Sequence, residues 1–293
     1  MRFRYLLAIL SFLFALAPAA AAPIVHAHPA LWHVKGPEGE VYLLGSIHLL
    51  PKNIEWRTGA ISAAMARSTV FVFEVSTDEK AQTEIRKLVA EMGMLPPGQS
   101  LRETLPASAR DDFDAAIKSA HLPPAVVDHE KPWLVSLQLL VAEGTARHYS
   151  ADAGVDHAVM GIAARDHKPV RFFETIEQQL RLLASGDDKL QVDAFASDLK
   201  DYQKDDDDLA PMVTAWSKGQ ADKLAALMNT ELADQPDVKK ALLTDRNRRW
   251  ALQIQTMLRE KRIFFITVGA GHLAGADGVP ALLRAAGYKV DGP

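Results

Sequence analysis

"VYLLGSIHLL", residues 41–50, and "FFITVGAGHLAG", residues 264–275, decide how this chain is expected to fold. Each stretch runs from β-prone apolar residues into Gly-x-x-His, and the two motifs end at His48 and His272. Nearly continuous apolar runs are typical of strands that are covered on both faces of a parallel sheet. We therefore expect two central strands, distant in sequence, to end side by side.

Four further segments are expected to complete the sheet around these two strands. A hairpin with "KGPEGE" as its turn joins Leu31–Val34 to Val41–Ile47, and a short edge strand is expected at the C-terminus. The apolar runs Thr69–Ser76 and Pro169–Thr175 are also predicted as strands, and each carries a glutamate near its end.

The middle of the chain has helical periodicity. "SARDDFDAAIKSAHL" places apolar residues at helical spacing, with Ser108 as the expected N-cap. We expect a helical cap over roughly 77–165 and 187–262. Because no linker-like stretch interrupts the pattern, the prediction is a single α/β domain over 22–293. Its mixed central sheet is built from the N- and C-terminal segments and is flanked by helices.

The first residues have the pattern of a secretory signal peptide. Arg2 and Arg4 precede an apolar run from Tyr5 to Ala17 and a cluster of alanines, so cleavage is expected after Ala21, which makes residues 1–21 the leader. The alternative is an uncleaved anchor, but the run is shorter than the ~20 residues of a membrane span. The mature protein is therefore expected in the periplasm or outside the cell, with no stable transmembrane segment.

Composition excludes several classes of function. The formal charge of −4 becomes −6 once Arg2 and Arg4 are removed, which argues against nucleic acid as a partner. The chain has no cysteine, so thiolate catalysis and thiolate metal sites are excluded. It also lacks a Gly-x-Ser-x-Gly elbow, a phosphate-binding loop and a dinucleotide fingerprint.

Polar side chains follow four of the predicted strands: His48, Glu74, Glu174 and His272. Ligand sites of open α/β sheets lie outside the carboxyl ends of the strands. Two histidines with one or two carboxylates are a common hydrolytic metal set, and the same groups without metal could perform general acid–base hydrolysis. Each residue also has a structural alternative, for example a salt bridge for Glu74 or a helix start at Glu174.

The motif glycines have an expected use at these strand ends. Gly45 and Gly269 remove a side chain where the strand meets the site, and Gly271 frees the backbone before His272.

"TDRNRRWALQI" adds a second set of polar residues, on a predicted helix. Asp245 and Arg249 stand four apart and are expected to pair with each other. Arg246 is a candidate for binding a substrate oxyanion. Asp156 lies at the expected start of another helix, in "GVDHAV".

Together, several motifs resemble the TraB/GumN family over nearly the whole mature chain and in matching order: "LWHVKGPEGEVYLLGSIHLLP", "FVFEVS", "GVDHAV", "VRFFETIEQQL", "LLTDRNRRWALQI" and the C-terminal "FFITVGAGHLAGADGVPALLRAAGYKV". That family is similar to the Tiki metalloproteases and, more distantly, to erythromycin-esterase-like and haem-binding ChaN-like proteins. The resemblance implies a core site of His48, Glu74 and His272. It marks Asp156, Glu174, Gln178 and Arg246 as family-like positions.

These observations leave three functional hypotheses. The first is a metal-dependent hydrolase of the peptidase kind, in which His48 and His272 bind a divalent ion and Glu74 is the third ligand or general base. Zinc, manganese, cobalt and iron all suit such ligands. Glu174 and Arg246 would assist catalysis, and Asp156 and Gln178 would contact a peptide, protein or small-molecule substrate. The alternatives are a non-enzymatic binder of a small ligand or haem, and a metal-free esterase-type hydrolase.

Overall fold

The computed structural model describes residues 23–202, 209–233 and 235–293. The predicted leader, residues 1–21, lies outside the described residues. The strands are β1 Val25–His26, β2 Leu31–Lys35, β3 Glu40–Ser46, β4 Leu50–Pro51, β5 Ile54–Glu55, β6 Val70–Phe73, β7 Tyr149–Ser150, β8 Val170–Phe172, β9 Ile263–Gly269 and β10 Val290–Asp291. The α-helices are α1 Gly59–Arg67, α2 Glu79–Met92, α3 Leu101–Thr104, α4 Arg110–Ser119, α5 Pro124–Val127, α6 Pro132–Ala146, α7 Val155–Arg165, α8 Ile176–Leu183, α9 Asp188–Tyr202, α10 Leu209–Ser217, α11 Ala221–Glu231, α12 Pro236–Lys239, α13 Asp245–Met257 and α14 Val279–Ala285.

A mixed six-stranded sheet has the strand order β10-β2-β3-β9-β6-β8. Strands β3, β9, β6 and β8 are parallel, whereas β2 runs in the opposite direction and pairs antiparallel with both β3 and β10. The register pairs Ser46 with Gly269, so the two strands that carry the Gly-x-x-His motifs end side by side. This confirms the expected α/β class and the origin of most of the sheet in the N- and C-terminal segments.

The two faces of the sheet are covered by different helices. One face presents Leu43 of β3, Val72 of β6 and Ile266 of β9, which share a hydrophobic core with Trp250 of α13 and Leu283 of α14. Helices α1 and α7 also pack against β9, but their buried side chains lie outside that core. We therefore assign α1 and α7 to the opposite face, where the rings of Phe71 and Phe265 are in contact at a tilt, with centroids 5.5 Å apart.

The described chain divides into two compact units. The sheet unit comprises residues 23–75, 148–174 and 209–293, and the helical unit comprises 76–147 and 175–202. The helical unit has its own core, which includes Leu101, Phe113, Val135 and Phe195. None of the helices in the described ranges is long and apolar enough to cross a membrane.

The predicted cap bounds differ from those of the helical unit. Helices α7 and α10 to α13 fall within the expected 77–165 and 187–262 but belong to the sheet unit. The reason is packing, since α7 contacts β6 and β9 and α13 contributes Trp250 to the core of the sheet. That both units form one domain stays a prediction.

Ser108 is not the N-cap that the sequence predicts for α4. It lies inside a 3-10 turn, Ala107–Ala109, and Ala109 is the N-cap residue, without a side-chain hydrogen bond. The 3-10 turn continues directly into the helix, so Ser108 lies one residue before the N-cap position.

Candidate active site

His48 forms a hydrogen-bonded pair with Asp156. His48 follows the end of β3 by two residues, and Asp156 lies in the first turn of α7. The Val155 N–H donates to the carbonyl of Ile47 at 3.1 Å, which ties the start of α7 to the end of β3. His48 Nδ1 and Asp156 Oδ1 are 2.5 Å apart, and both side chains are largely buried. A β-carbon at Gly154 would overlap the carbonyl of His48, so this close approach requires glycine.

Arg246 is the centre of a second, fully buried network. Its Nε donates to the Glu174 carboxylate at 3.0 Å, and its Nη2 reaches Glu74 Oε2 at 2.7 Å and Glu174 Oε2 at 2.9 Å. Its Nη1 donates to the carbonyl of Leu242 at 3.1 Å and to His272 Nε2 at 3.0 Å. All five N–H groups of the guanidinium therefore face acceptors of the protein itself.

A π-helical turn, Lys240–Thr244, stands immediately before Arg246 on α13. Such turns occur mostly as single bulges and often at functional sites. Leu242, whose carbonyl accepts from Arg246 Nη1, belongs to this turn.

His272 is held as a neutral imidazole. Its Nδ1 lies 2.5 Å from Asn247 Oδ1, and its Nε2 faces the N–H of Arg246. Since a guanidinium only donates, Nε2 accepts and the proton is on Nδ1. Burial lowers the pKa of His272 well below its ordinary value, and the charges of Arg246 and His48 lower it further. The influence of His48 places the two imidazoles within electrostatic range of each other.

The two buried glutamates anchor the network to the sheet. Glu74 Oε1 accepts from the N–H of Gly269 at 2.6 Å, and the Glu174 N–H donates to the carbonyl of Glu74 at 2.9 Å. Burial alone would lower the pKa of Arg246, but Glu74 and Glu174 raise it. The guanidinium therefore remains a cation between two carboxylates.

Two further residues of this network are Asn247 and Trp250, for which the sequence suggested no role. Trp250 donates its Nε1–H to Glu174 Oε1 at 3.2 Å, and its ring lies 4.3 Å from that of His272 and 4.6 Å from the guanidinium carbon of Arg246. Trp250 stands four residues after Arg246, so helical spacing alone could have placed both on one face.

The expected pair of Asp245 and Arg249 is not the pairing observed. Asp245 contacts Lys240 at 2.5 Å, and Arg249, about half exposed, reaches Glu174 Oε1 at 3.4 Å. Arg249 lies close to the inward face of α13 and so can reach the network, whereas Lys240 approaches Asp245 from the preceding turn.

The motif glycines serve close packing. A β-carbon at Gly45 would lie 2.8 Å from Cα of Ala270, so glycine lets the second motif fold over β3. At Gly271 a β-carbon would overlap the thioether of Met228. Gly271 does not have a positive φ, so its use is space rather than the expected backbone freedom. Gly269 contributes its N–H to Glu74.

Gln178, an expected substrate contact, closes a capping box at the start of α8. Its Oε1 accepts from the Thr175 N–H at 2.8 Å, and its own N–H donates to the Thr175 hydroxyl at 3.2 Å. Gln178 is exposed and belongs to the helical unit.

Two of the three residues predicted to bind a metal ion contact Arg246 instead. The sequence predicts a divalent ion on His48, His272 and Glu74, but His272 Nε2 and Glu74 Oε2 both accept from Arg246. In this arrangement the atoms expected to bind an ion are hydrogen-bond acceptors of the guanidinium, and the metal site stays a prediction. Within residues 23–202, 209–233 and 235–293, no three His, Asp or Glu side chains are grouped so that they could hold a metal.

Comparison with known proteins identifies the family of this chain. A family model described as TraB/PrgY/gumN family matches residues 30–292. The uncharacterized protein YbaP of Escherichia coli strain K12 is 22% identical over 246 residues, which covers 83% of this chain and 87% of YbaP. YbaP of Shigella flexneri matches with the same identity and coverage. No solved structure matches. The match over residues 30–292 shows that the chain belongs to the TraB/PrgY/gumN family.

Proposed function

We propose that this protein is an exported hydrolase that cleaves an acyl bond of a peptide or ester. In this proposal His48 is the general base and Asp156 orients it. The observation that supports the proposal is the 2.5 Å contact between His48 Nδ1 and Asp156 Oδ1 at the carboxyl end of a central strand. A carboxylate on one imidazole nitrogen is the arrangement by which hydrolases fix a catalytic histidine.

The chemistry follows from the tautomer that this contact favours. The Nδ1–H group of His48 donates a hydrogen bond to Asp156, so the basic lone pair of the imidazole is on Nε2. Nε2 takes a proton from water as the water oxygen bonds to the acyl carbon, and Asp156 stabilises the imidazolium that forms. The same proton is then given to the leaving amine or alcohol as its bond to the acyl carbon breaks, so the imidazole returns to its neutral form.

The Arg246 network has a different role in this proposal. Because its five N–H groups are directed to Glu74, Glu174, Leu242 and His272, Arg246 has no donor left for a substrate oxyanion in this arrangement. We assign the network to positioning, since it holds the ends of β6 and β9 and the His272 motif against α13.

The test uses the mature protein with a panel of chromogenic esters and fluorogenic peptides. His48→Ala should lower the rate of hydrolysis by about 10²- to 10⁴-fold, the usual contribution of a general base. His157→Ala is the matched control, because His157 is an exposed histidine on the same turn of α7, and it should keep the wild-type rate. Equal rates for wild type and His48→Ala would refute the assignment.

A chelator and elemental analysis separate the metal-free proposal from the metal prediction. Activity should survive the chelator, and the purified protein should carry no stoichiometric metal. Loss of activity with the chelator and its return with zinc, manganese, cobalt or iron would restore the metal-dependent alternative. Absence of all hydrolysis together with a haem-like visible absorption band would favour a binding protein instead.

A further inference from the structure

Two buried hydroxyl groups lie on the strands that carry the two Gly-x-x-His motifs. Ser46 and Thr267 are 2% and 1% exposed, and in the described part of the chain neither Ser46 Oγ nor Thr267 Oγ1 has a hydrogen-bond partner. A buried hydroxyl without a partner lowers stability, because it gives up its hydrogen bonds to water. Apolar side chains would avoid this cost at both positions. We therefore look for a functional role of the two hydroxyls.

The register of the sheet places the two hydroxyls on one face. Leu44 of β3 pairs with Thr267 of β9, and Ser46 is two residues further along β3. Paired residues and residues two apart share a face, so Ser46 and Thr267 are diagonal neighbours. This is the face opposite to Leu43 and Ile266, which pack against α13.

The partner of the proposed base lies on a helix that packs on this face of the sheet. Asp156, the partner of His48, lies in the first turn of α7, and α7 packs against β9 on the face assigned to Ser46 and Thr267. His48 follows Ser46 by two residues at the carboxyl end of β3. Ser46, Thr267 and His48 therefore all belong to the carboxyl-terminal parts of two neighbouring strands and the residues that directly follow β3.

We propose that Ser46 and Thr267 hold the water molecule that His48 deprotonates. This inference rests on the proposed function and deepens it. A buried water needs two to four polar partners, and each hydroxyl can both donate and accept. The water would donate one O–H to His48 Nε2 and the other to one of the two hydroxyls. It would accept a hydrogen bond from the second hydroxyl, which leaves one oxygen lone pair for the acyl carbon. Ser46 and Thr267 are positioning residues in this step and form no covalent bond.

A crystal structure of the mature wild-type protein, with that of Ser46→Ala, tests the water site without any substrate. We expect an ordered water within hydrogen-bonding distance of Ser46 Oγ and His48 Nε2, and its loss in Ser46→Ala. A Ser46 hydroxyl that instead donates to a backbone carbonyl, with no water between it and His48, overturns the inference. If the water is present but no substrate is hydrolysed, the water site stands and the hydrolase proposal fails.

Kinetics separate positioning from a covalent role. Ser46→Ala should lower kcat on the order of 10- to 100-fold with little change in KM, the scale expected for a misplaced reactant. Its pH profile should keep the wild-type shape, because His48 and Asp156 are intact. Ser62→Ala, an exposed serine on α1, should match wild type in both constants. A stable phosphonate adduct on Ser46, found by mass spectrometry, would make Ser46 a nucleophile and overturn the positioning role.

Discussion

At Arg246 one side chain joins two strand ends, a helix and the second Gly-x-x-His motif. It is 1% exposed and contacts two carboxylates, Glu74 and Glu174. A buried ion pair adds little stability over a well-packed apolar core, but removal of one partner leaves uncompensated buried charge. Arg246 is therefore the buried cation that Glu74 and Glu174 share.

Loss of the guanidinium should destabilise the protein strongly. Arg246→Ala removes the buried cation that Glu74 and Glu174 share, for which we expect a loss of about 3–5 kcal/mol in the free energy of unfolding. Arg248→Ala is the control on the same helix, because Arg248 is 64% exposed and contacts Asp245 only at 4.0 Å. Urea denaturation of both variants gives the comparison. Similar small losses for the two would show that the network is not needed for stability.

His272 should make stability dependent on pH. Its pKa is lowered by burial and by Arg246 and His48, from an ordinary value of 6.5. Below pH ~6.5 the unfolded chain binds a proton at His272 and the folded chain does not, so stability is present above that pH and is lost as pH falls toward the lowered folded pKa. The slope from this one group is at most about 1.4 kcal/mol per pH unit.

The measurement is the free energy of unfolding between pH 7 and pH 5, as a difference between wild type and His272→Gln. The difference isolates His272 from the other titrating groups. On acidification the free energy of unfolding of the wild type should fall more steeply than that of His272→Gln. The difference in slope should be at most that of one proton, about 1.4 kcal/mol per pH unit. Parallel curves would mean that His272 takes up its proton equally in both states.

Among the structural elements, the turn of the second motif depends on two glycines for different reasons. Gly45 faces the backbone of Ala270, which cannot move without the motif, whereas Gly271 faces the flexible thioether end of Met228. Gly161 lies inside α7 with nothing within 4 Å of its β-carbon position.

Three alanine substitutions should therefore differ in sign and size. Gly45→Ala should cost about 1–3 kcal/mol, because overpacking here displaces backbone. Gly271→Ala should cost less, because Met228 can change rotamer. Gly161→Ala should stabilise the protein by roughly 0.5–1 kcal/mol through helix propensity. Melting temperatures give the order, and a Gly45→Ala variant as stable as wild type would contradict the packing.

For the whole molecule, the sheet can be predicted because each strand is indicated by the residues of its own short segment. Apolar runs such as Val41–Ile47 and the run before His272 predict strands, and their repeated endings predict neighbouring strand ends. The same local patterns also indicate Glu74 and Glu174 as polar groups at strand ends, and Arg246 as a polar group on a predicted helix. Observed bounds differ by a residue or more, for example Glu40–Ser46 for β3.

What could not be predicted is set by contacts distant in sequence. Nothing local shows that Arg246 directs all five donors to the protein, or that Asp156 reaches His48 across 108 positions of sequence. Likewise the helical unit combines residues 76–147 with 175–202, and α7 lies on the sheet instead. These features follow from packing of whole elements, which periodicity within one element does not encode.

The most direct test of the hydrolase assignment is a double-mutant cycle on the hydrolysis rate, with His48→Ala, Asp156→Asn and the double variant. If Asp156 acts through His48, Asp156→Asn alone should slow hydrolysis by about 10²- to 10⁴-fold, because loss of the correct histidine tautomer has an effect of up to about 10⁴-fold in the Ser-His-Asp triad. The double variant should then be no slower than His48→Ala, because residues that act as a unit are strongly non-additive. Losses that simply multiply, or an Asp156→Asn variant with the wild-type rate, would show that the pair is not a catalytic unit.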